Sequence, residues 1–164
     1  MGHAEDKRFY MDEVYFKGHS GLFFLAEGDT SLIDEALPLL AQEGVGTDRN
    51  VGHGYFEYKK EHFEIQVPDS ADMGLILSTY IPDDKLQLEQ AIDNPHVAYE
   101  LVRRGGWITS APYNTLRKNA IYAFNAGSVL SGTPMGKIVD LAPKGLTNHP
   151  VWRCGKTIVL PIKL

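Results

Sequence analysis

The amino-acid sequence predicts an α+β fold whose elements follow an order close to βαββαβ, the ferredoxin-like (RRM-related) arrangement, with extra β-strands after it. Two helical patterns separate stretches that are rich in strand-forming residues, and glycine-containing turns separate the later strands. The 164 residues are enough for one domain with a sizeable core. We therefore predict a single domain over residues 14–164.

The first predicted strand and a predicted hairpin flank the first helix. Residues 14–26 are rich in aromatic and aliphatic side chains, as is typical of a strand. Residues 54–58 and 62–67 form two further short runs, and the second alternates apolar with polar side chains. We expect these two runs to pair as a hairpin.

The first helix is predicted from its ends and its apolar spacing. Ser31 and Asp34 stand at the positions of a capping box, and apolar residues follow at helical spacing. Pro38 would cost about 3 kcal/mol in a helix interior, so the helix either starts near Asp34 or is kinked. Gly44 is in the position of a C-cap and predicts the end of the helix.

The second half of the chain is predicted to hold one helix and several strands. Residues 75–81 are apolar on both faces, as in a central strand. The second helix is expected to start at Pro82-Asp83-Asp84, to run to Asp93 and to stop before Asn94-Pro95. Residues 99–108 resemble a strand or a bulged hairpin. The remaining predicted strands are residues 119–124, 137–141 and 157–162.

Composition says little about function, but it bears on where in the cell the protein is expected. Residues 1–13 form a polar flank whose Met1-Gly2-His3 start is compatible with a remnant of expression. No apolar run approaches the roughly 18 residues that a membrane helix needs, and no secretory leader is recognisable. The single cysteine, Cys154, fits a reducing compartment. We expect a cytoplasmic protein that does not contact the membrane.

The net charge of −5 conceals a strong asymmetry. Residues 1–100 contain 7 basic and 20 acidic side chains, whereas residues 101–164 contain 9 basic residues and one acid, Asp140. One explanation is chance clustering on a solvated surface. The other is that the last third presents a basic face to a polyanion while the acidic part faces another protein. The acidic total argues against a free-standing, non-specific nucleic-acid binder.

The most distinctive stretch is the glycine-rich loop GVGTDRNVGHG at residues 44–54. Its glycines allow positive φ angles and expose backbone N–H groups, which can hold an anion. The alternative is a tight helix-to-strand connection in which the glycines serve backbone geometry alone. Nucleotide motifs are excluded, because the loop follows a helix instead of a strand, Arg49 occupies the third-glycine position of GxGxxG, and no GK[ST] follows.

No metal or cofactor site is predicted. Cys154 and His149 lack the spacing of a zinc site and have no further partners in sequence. A Ser/His/Asp or Cys/His catalytic set cannot be assembled from the sequence pattern. The acidic pairs Asp83-Asp84 and Asp12-Glu13 are typical of a helix start and a polar flank.

Five segments, in the same order, carry a family resemblance that spans residues 14–164. They are GVGTDRNVGHGYFE, LILSTYIP, VRRGGWI, the Arg117-Lys118 pair followed by AFNAGSVL, and VWRCGKTIVLPI. With these segments the chain resembles the C-terminal half of the Csm subunit four family, a RAMP-superfamily component of type III-A CRISPR effector complexes.

The resemblance implies a ferredoxin-like RAMP domain and a non-catalytic role. Such subunits hold the 5′ handle of the crRNA and contact the large polymerase-like Cas subunit and a backbone RAMP subunit. Family members usually carry a second, preceding ferredoxin-like half, so this chain would be a shortened piece or one half of a split protein. Thr47 stands where a further glycine is common.

The predicted RNA contacts combine the glycine-rich loop with the basic pair. They are Gly44, Gly46, Thr47, Arg49, Asn50, Gly52, His53, Gly54, Arg117 and Lys118. Arg49 can grip a phosphate or stack on a base, unless it is paired with Asp48 or Glu43. Arg117-Lys118 could equally be a solvated turn. Three aromatic residues, Tyr55, Trp107 and Tyr113, could stack on unpaired bases.

Two other functions remain open from sequence. His53 could act as general acid or base in a RAMP-type endoribonuclease that processes repeat RNA, although a histidine in this place is more often a strand residue at a loop edge. Alternatively, the glycine-rich loop could dock a protein partner in a pure scaffold.

Overall fold

The computed structural model describes residues 13–46 and 48–164, and it divides the chain into two compact units at residues 59 and 60. Most of the predicted N-terminal flank and Thr47 lie outside the described residues. Within the described part the elements are two α-helices, one short 3-10 helix and seven strands. The α+β class is therefore confirmed. The ferredoxin-like core and the single domain over residues 14–164 remain predictions.

The first unit is organised by helix α1, Ser31–Glu43. Its N-cap is Thr30, whose hydroxyl donates to the Asp34 carboxylate at 3.2 Å and caps no backbone N–H group. The predicted capping box at Ser31 is thus wrong, because Ser31 is already helical. The helix begins at Ser31 and contains Pro38, so the later start near Asp34 is also wrong. The predicted C-cap is confirmed, since the Gly44 N–H donates to the Leu40 carbonyl at 2.8 Å.

The strands predicted before and after α1 do not form. Residues 14–26, 54–58 and 62–67 are all described, and none is in a strand, so the predicted hairpin is wrong. The Phe56 N–H donates instead to the carbonyl of Ala41, in the last turn of α1, at 3.4 Å. A strand is stabilised by a partner strand, and side-chain alternation alone does not supply one.

The second unit contains a three-stranded antiparallel sheet in the order β4-β1-β7. Its strands are β1 (Met73–Ile76), β4 (Val129–Ser131) and β7 (Val159–Ile162). The predicted strand at residues 75–81 is shifted, because β1 ends at Ile76 and the chain then turns. Tyr80 instead forms an isolated bridge with Phe124, their N–H groups donating to each other's carbonyls at 3.1 and 2.9 Å.

Helix α2, Lys85–Ile92, follows this turn and agrees with the prediction. Its N-cap Asp84 accepts a hydrogen bond from the Gln87 N–H at 2.8 Å, which satisfies one of the N–H groups that a helix start leaves unpaired. Ala91 is buried on the inner face of α2.

Two antiparallel ribbons complete the second unit. Strand β2 (Leu101–Trp107) pairs with β3 (Arg117–Phe124) and carries a bulge between Arg104 and Gly106. Of the two interpretations of residues 99–108, the strand is confirmed, and the hairpin within that segment is wrong. Strand β5 (Ile138–Asp140) pairs with β6 (Trp152–Cys154). Strands β4 and β6 were not predicted from the sequence.

The core of the second unit consists of buried side chains from the sheet, α2, the turn after β1 and strand β3. Its members are Ile76, Tyr80, Ala91, Phe124 and Leu130, with Val97 and Val159 packed against them. The Tyr80 and Phe124 rings lie 5.6 Å apart between centroids. No helix in the described part of the chain is long and apolar enough to cross a membrane.

Candidate functional site

The glycine-rich loop is closed at its neck by two glycines. The Val45 N–H donates to the Gly54 carbonyl at 2.9 Å. A Cβ atom at Gly54 would lie 2.1 Å from the Val45 carbonyl oxygen, and one at Gly44 would lie 2.9 Å from the His53 carbonyl oxygen. Both glycines also have positive φ angles, +83° and +81°. The neck therefore requires glycine at both positions, for close approach as well as for backbone conformation.

The tip of the loop is a short 3-10 helix, Arg49–Val51, which is preceded by Asp48 in the left-handed region at φ 56°. The Asp48 carbonyl accepts from the Val51 N–H at 3.0 Å and from the His53 N–H at 3.3 Å. The Gly52 N–H donates to the Arg49 carbonyl at 3.2 Å. The N–H groups of Val45, Val51, Gly52 and His53 therefore donate to carbonyls of the loop itself. Fewer backbone N–H groups remain for an anion than the glycine content predicted.

The Arg49 side chain is exposed at this tip. Among the described residues, no ion pair joins it to Glu43 or Asp48, the partners that the alternative interpretation named. Asn50 beside it is also exposed. The guanidinium can therefore bind an anion without first breaking an ion pair with Glu43 or Asp48.

His53 lies at the edge of the loop near an acidic side chain. Its Nε2 atom is 3.9 Å from the Glu13 carboxylate, and 47% of the side chain is exposed. No cluster of three or more His, Cys, Asp or Glu side chains within the described residues could hold a metal ion.

The predicted basic pair belongs to the second unit, on the ribbon of β2 and β3. The Arg117 guanidinium lies over the Trp107 ring, 4.5 Å from its centroid. These residues are direct partners in the strand register, so their side chains share a face of the ribbon. Trp107 remains 52% exposed, which leaves ring surface available to a ligand. The basic pair is thus part of a strand and not the solvated turn of the alternative interpretation.

Lys118 lies on β3, opposite the end of the bulge in β2. It is the register partner of Gly106, and a Cβ atom at Gly106 would lie 3.7 Å from the Lys118 Cε atom. The bulge shifts the register between Arg104 and Gly106. Bulges re-aim side chains, and here the bulge accompanies the placement of two neighbouring cations at one end of the ribbon.

The structure adds two residues to the predicted set, Arg103 and Tyr122. They are direct register partners on β2 and β3, both are exposed, and Tyr122 is 65% exposed. Each was visible in sequence only as one side chain of a strand. Their pairing depends on the register, which the bulge alters, so no local signal could reveal it.

A second polar contact joins two loops of the second unit. Ser110 Oγ lies 2.8 Å from His149 Nε2, and His149 Nδ1 lies 3.0 Å from the Pro150 carbonyl oxygen. The Tyr113 ring stands edge-on to the imidazole, with centroids 6.3 Å apart. Sequence reasoning found no Ser/His set, because 39 residues separate these two. The partner of His149 Nδ1 is thus a backbone carbonyl, whereas a catalytic triad has a carboxylate in this place. The contact between Ser110 and His149 joins the two loops.

The ring of Tyr55, the third aromatic residue of the predicted set, is 59% exposed in the first unit. The loop residues thus lie in the first unit and the basic pair lies in the second. Within the second unit, the structure brings together Trp107, Arg117 and Lys118 on one ribbon.

Comparison with known proteins identifies the family. Residues 69–162 match the sequence profile described as CRISPR Csm4 C-terminal domain. The chain is 32% identical over 152 residues to the CRISPR system Cms protein Csm4 of Mycobacterium tuberculosis (strain ATCC 25618 / H37Rv), which covers 90% of this chain and 49% of that protein. It is 29% identical over 147 residues to the protein of the same name from Streptococcus thermophilus, covering 86% of this chain and 48% of that protein.

A third relative carries the same name. The Csm4 protein of Thermococcus onnurineus (strain NA1) is 26% identical over 160 residues, covering 95% of this chain and 49% of that protein. The chain spans about half the length of the curated relatives that it matches. The profile match extends over more than half of the chain. The chain therefore belongs to the CRISPR Csm4 family and corresponds to its C-terminal half.

Proposed function

We propose that the chain is a non-catalytic RNA-binding component of a type III-A CRISPR interference complex, which holds the 5′ handle of the crRNA. The observation that carries the proposal is the ribbon of β2 and β3. It pairs Arg117 with Trp107 and Arg103 with Tyr122, and both aromatic rings are largely exposed. Cations beside exposed rings are the combination that binds the phosphates and stacks on the bases of single-stranded RNA.

The family supports the same direction. The relatives are named as proteins of a CRISPR system, and the profile covers both strands of this ribbon. The ferredoxin-like RAMP core and the cytoplasmic location predicted from sequence remain part of the proposal. The exposed Arg49 at the loop tip of the first unit supplies a further cation for the RNA backbone.

Contacts with neighbouring subunits are also part of the proposal. The expected partners are the large polymerase-like Cas subunit and a backbone RAMP subunit. In the first unit, Leu22 and Phe23 are each 87% exposed, and Phe24 beside them is 62% exposed. Consecutive exposed apolar side chains of this kind are typical of protein interaction sites.

The test is an RNA-binding measurement on the assembled complex. Arg49→Ala is expected to weaken binding of labelled handle RNA by about 1 to 3 kcal/mol, the range for losing a charge-assisted contact. Lys85→Ala is the matched control, because Lys85 is an exposed cation that pairs with Glu89 on α2 at 3.2 Å. Equal handle binding by the Arg49→Ala complex and the unsubstituted complex would contradict the proposed role of the loop.

The second candidate function is a RAMP-type endoribonuclease that processes repeat RNA. The observation that favours it is the approach of His53 to Glu13, a pair that could share proton transfer. A denaturing gel of labelled repeat RNA incubated with the protein separates the two functions. Metal-independent cleavage that His53→Ala abolishes would favour the enzyme, and intact RNA would favour the binding subunit.

A further inference from the structure

Two loops of the second unit meet at a serine and a histidine. Residues 108–116 connect β2 to β3 and contain Ser110, and residues 141–151 connect β5 to β6 and contain His149. The Ser110 Oγ and His149 Nε2 atoms lie 2.8 Å apart, and His149 is exposed. A hydroxyl within hydrogen-bond reach of an imidazole that a third group orients is the arrangement of an activated serine nucleophile.

The third group is a backbone carbonyl, which assigns the tautomer of the imidazole. His149 Nδ1 lies 3.0 Å from the Pro150 carbonyl oxygen. A carbonyl oxygen only accepts hydrogen bonds, so the proton of the neutral ring is on Nδ1 and the free electron pair is on Nε2. The Ser110 hydroxyl therefore donates to His149 Nε2. A general base needs this direction of hydrogen bonding.

Both loops are fastened where they leave their strands. The Asp140 carboxylate accepts from the Ala142 N–H at 2.9 Å and from the Val151 N–H at 2.7 Å, which holds both ends of the histidine loop. In the serine loop, the Ile108 N–H donates to the Leu116 carbonyl at 2.9 Å. Catalytic groups require such support, because small displacements separate a nucleophile from its base.

The backbone beside the serine offers donors for the negative charge that develops in acyl transfer. Within the described part of the chain, the N–H groups of Ser110 and Ala111 make no hydrogen bond. Serine hydrolases use the N–H of the nucleophile or of the residue after it to bind the oxygen that becomes charged. Ala111 is exposed, so a small ester has access to this backbone.

We propose that Ser110 is a nucleophile that takes an acyl group from carboxylic esters, with His149 as its general base. The Ser110 Oγ atom attacks the carbonyl carbon of the ester, and its proton passes to His149 Nε2. The bond between that carbon and the alcohol oxygen then breaks, and the leaving alcohol takes the proton from Nε2. The products are an O-acyl serine and a free alcohol. This reaction goes beyond the proposed RNA-binding function and does not depend on it.

The Pro150 carbonyl limits the rate of this reaction. A catalytic triad has a carboxylate beside the imidazole, and its replacement by an uncharged amide lowers kcat about 10⁴-fold. We therefore expect slow acylation by a reactive ester and no rapid turnover. A positioned general base still accelerates proton transfer by roughly 10²- to 10⁴-fold over a serine that has none.

The experiment exposes the full chain to p-nitrophenyl acetate and follows acetylation of each serine by peptide mapping with mass spectrometry. All proteins carry Cys154→Ala, because Cys154 is a free, exposed thiol that would also be acetylated. Ser20 is the internal reference, since it is exposed and its hydroxyl makes no hydrogen bond within the described residues. Ser110 should be acetylated at least about 100-fold faster than Ser20. In His149→Gln the two rates should become similar.

Three results would overturn the proposal. The first is equal acetylation of Ser110 and Ser20 in the Cys154→Ala protein, which would leave the contact as a link between two loops. The second is fast acetylation of Ser110 that persists in His149→Gln, because the imidazole would then not be the base. The third is fast modification of the serine loop that persists in Ser110→Ala.

Stability is measured in parallel, as the unfolding temperature of each variant without ester. Loss of fast acetylation in a His149→Gln protein with an unchanged unfolding temperature supports the proposal. If His149→Gln does not fold, the ratio of the Ser110 and Ser20 rates in the Cys154→Ala protein still decides the matter. RNA binding is measured separately, so failure of the acyl transfer leaves the proposed RNA-binding function unaffected.

Discussion

The guanidinium of Arg117 lies 4.5 Å from the centre of the Trp107 ring, across two paired strands. The two residues are ten positions apart in sequence, at the end of the β2–β3 ribbon where residues 108–116 connect the two strands. This contact holds a cation beside an exposed aromatic surface and prepares both groups for a ligand that carries phosphates and bases.

The contact can be tested for its contribution to folding by a double-mutant cycle. Arg117→Ala, Trp107→Ala and the double variant should give a coupling free energy of about 0.5 to 1 kcal/mol, as expected for a cation–π pair at an exposed site. The free energies of unfolding come from denaturant titrations. Arg117→Lys serves as a control because it keeps the charge and loses the planar group. Strictly additive single substitutions would show that the two side chains do not interact.

The neck of the glycine-rich loop is expected to be intolerant of a single methyl group. Gly54→Ala should open the loop, because the new Cβ atom would lie 2.1 Å from the Val45 carbonyl oxygen and the residue also has φ +83°. Hydrogen exchange of the Val45 N–H, which donates to Gly54, reports this opening directly.

The matched control for that substitution is Gly46→Ala. Gly46 also has a positive φ, +100°, but no atom of the described residues beyond its chain neighbours lies within 4 Å of a Cβ atom there. It should therefore show only the strain of the left-handed region, about 1 to 2 kcal/mol. Equal exchange rates of the Val45 N–H in the two variants would mean that the close approach at Gly54 does not matter.

Removal of the N-cap of α2 should destabilise the second unit. Asp84 accepts from the Gln87 N–H at 2.8 Å, so Asp84→Ala is expected to cost about 1 kcal/mol of unfolding free energy. Asp84→Asn should retain most of the stability, because the amide oxygen can still accept the bond. Circular dichroism during denaturant unfolding measures both variants. A loss in Asp84→Asn as large as that in Asp84→Ala would point to the charge and not to the cap.

Alkaline pH should weaken the fold through Tyr80. Burial is the main cause that raises the pKa of its hydroxyl to about 12, from an ordinary value of 10.0. The contribution to stability is fully present below pH 10. It is lost as the pH rises from 10 towards 12, because the unfolded chain then releases a proton that the folded chain keeps. The loss should reach roughly 2 kcal/mol.

Unfolding free energies of the unsubstituted protein and Tyr80→Phe, measured as a function of pH, isolate this effect. Tyr80→Phe should lose less stability between pH 10 and 12, since phenylalanine has no proton to release. Parallel pH profiles of the two proteins would show that Tyr80 ionises as easily in the folded state as in the unfolded chain.

The sequence predicted best the features that depend on neighbours along the chain. The C-cap at Gly44 and the helix start at Pro82-Asp83-Asp84 are set by contacts within four residues, and both are found in the structure. The strands expected at residues 14–26 and 54–67 are not, although their side-chain pattern is appropriate for strands. A strand needs a partner that supplies hydrogen bonds, and the local pattern says nothing about the presence of that partner.

The candidate site likewise contains residues that the sequence predicted and residues that only the structure revealed. The sequence pointed to Arg49 as an exposed cation in a glycine-rich loop, and to Arg117 and Lys118 as a basic pair. It did not show that Arg103 faces Tyr122, because that pairing depends on the bulge between Arg104 and Gly106. A shift of one residue in register would move each of these side chains to the opposite face of the ribbon.

By itself, then, the amino-acid sequence determined the α+β class, the C-terminal end of α1, the position of α2, the charge asymmetry and the family. Tertiary structure alone decided which cation lies over which ring and how the glycine-rich loop closes. It also decided that the Tyr80 hydroxyl is buried with no hydrogen-bond partner among the residues that the structure describes. Capping and charge are short-range properties of consecutive residues, whereas these contacts join residues that only strand register and packing bring together.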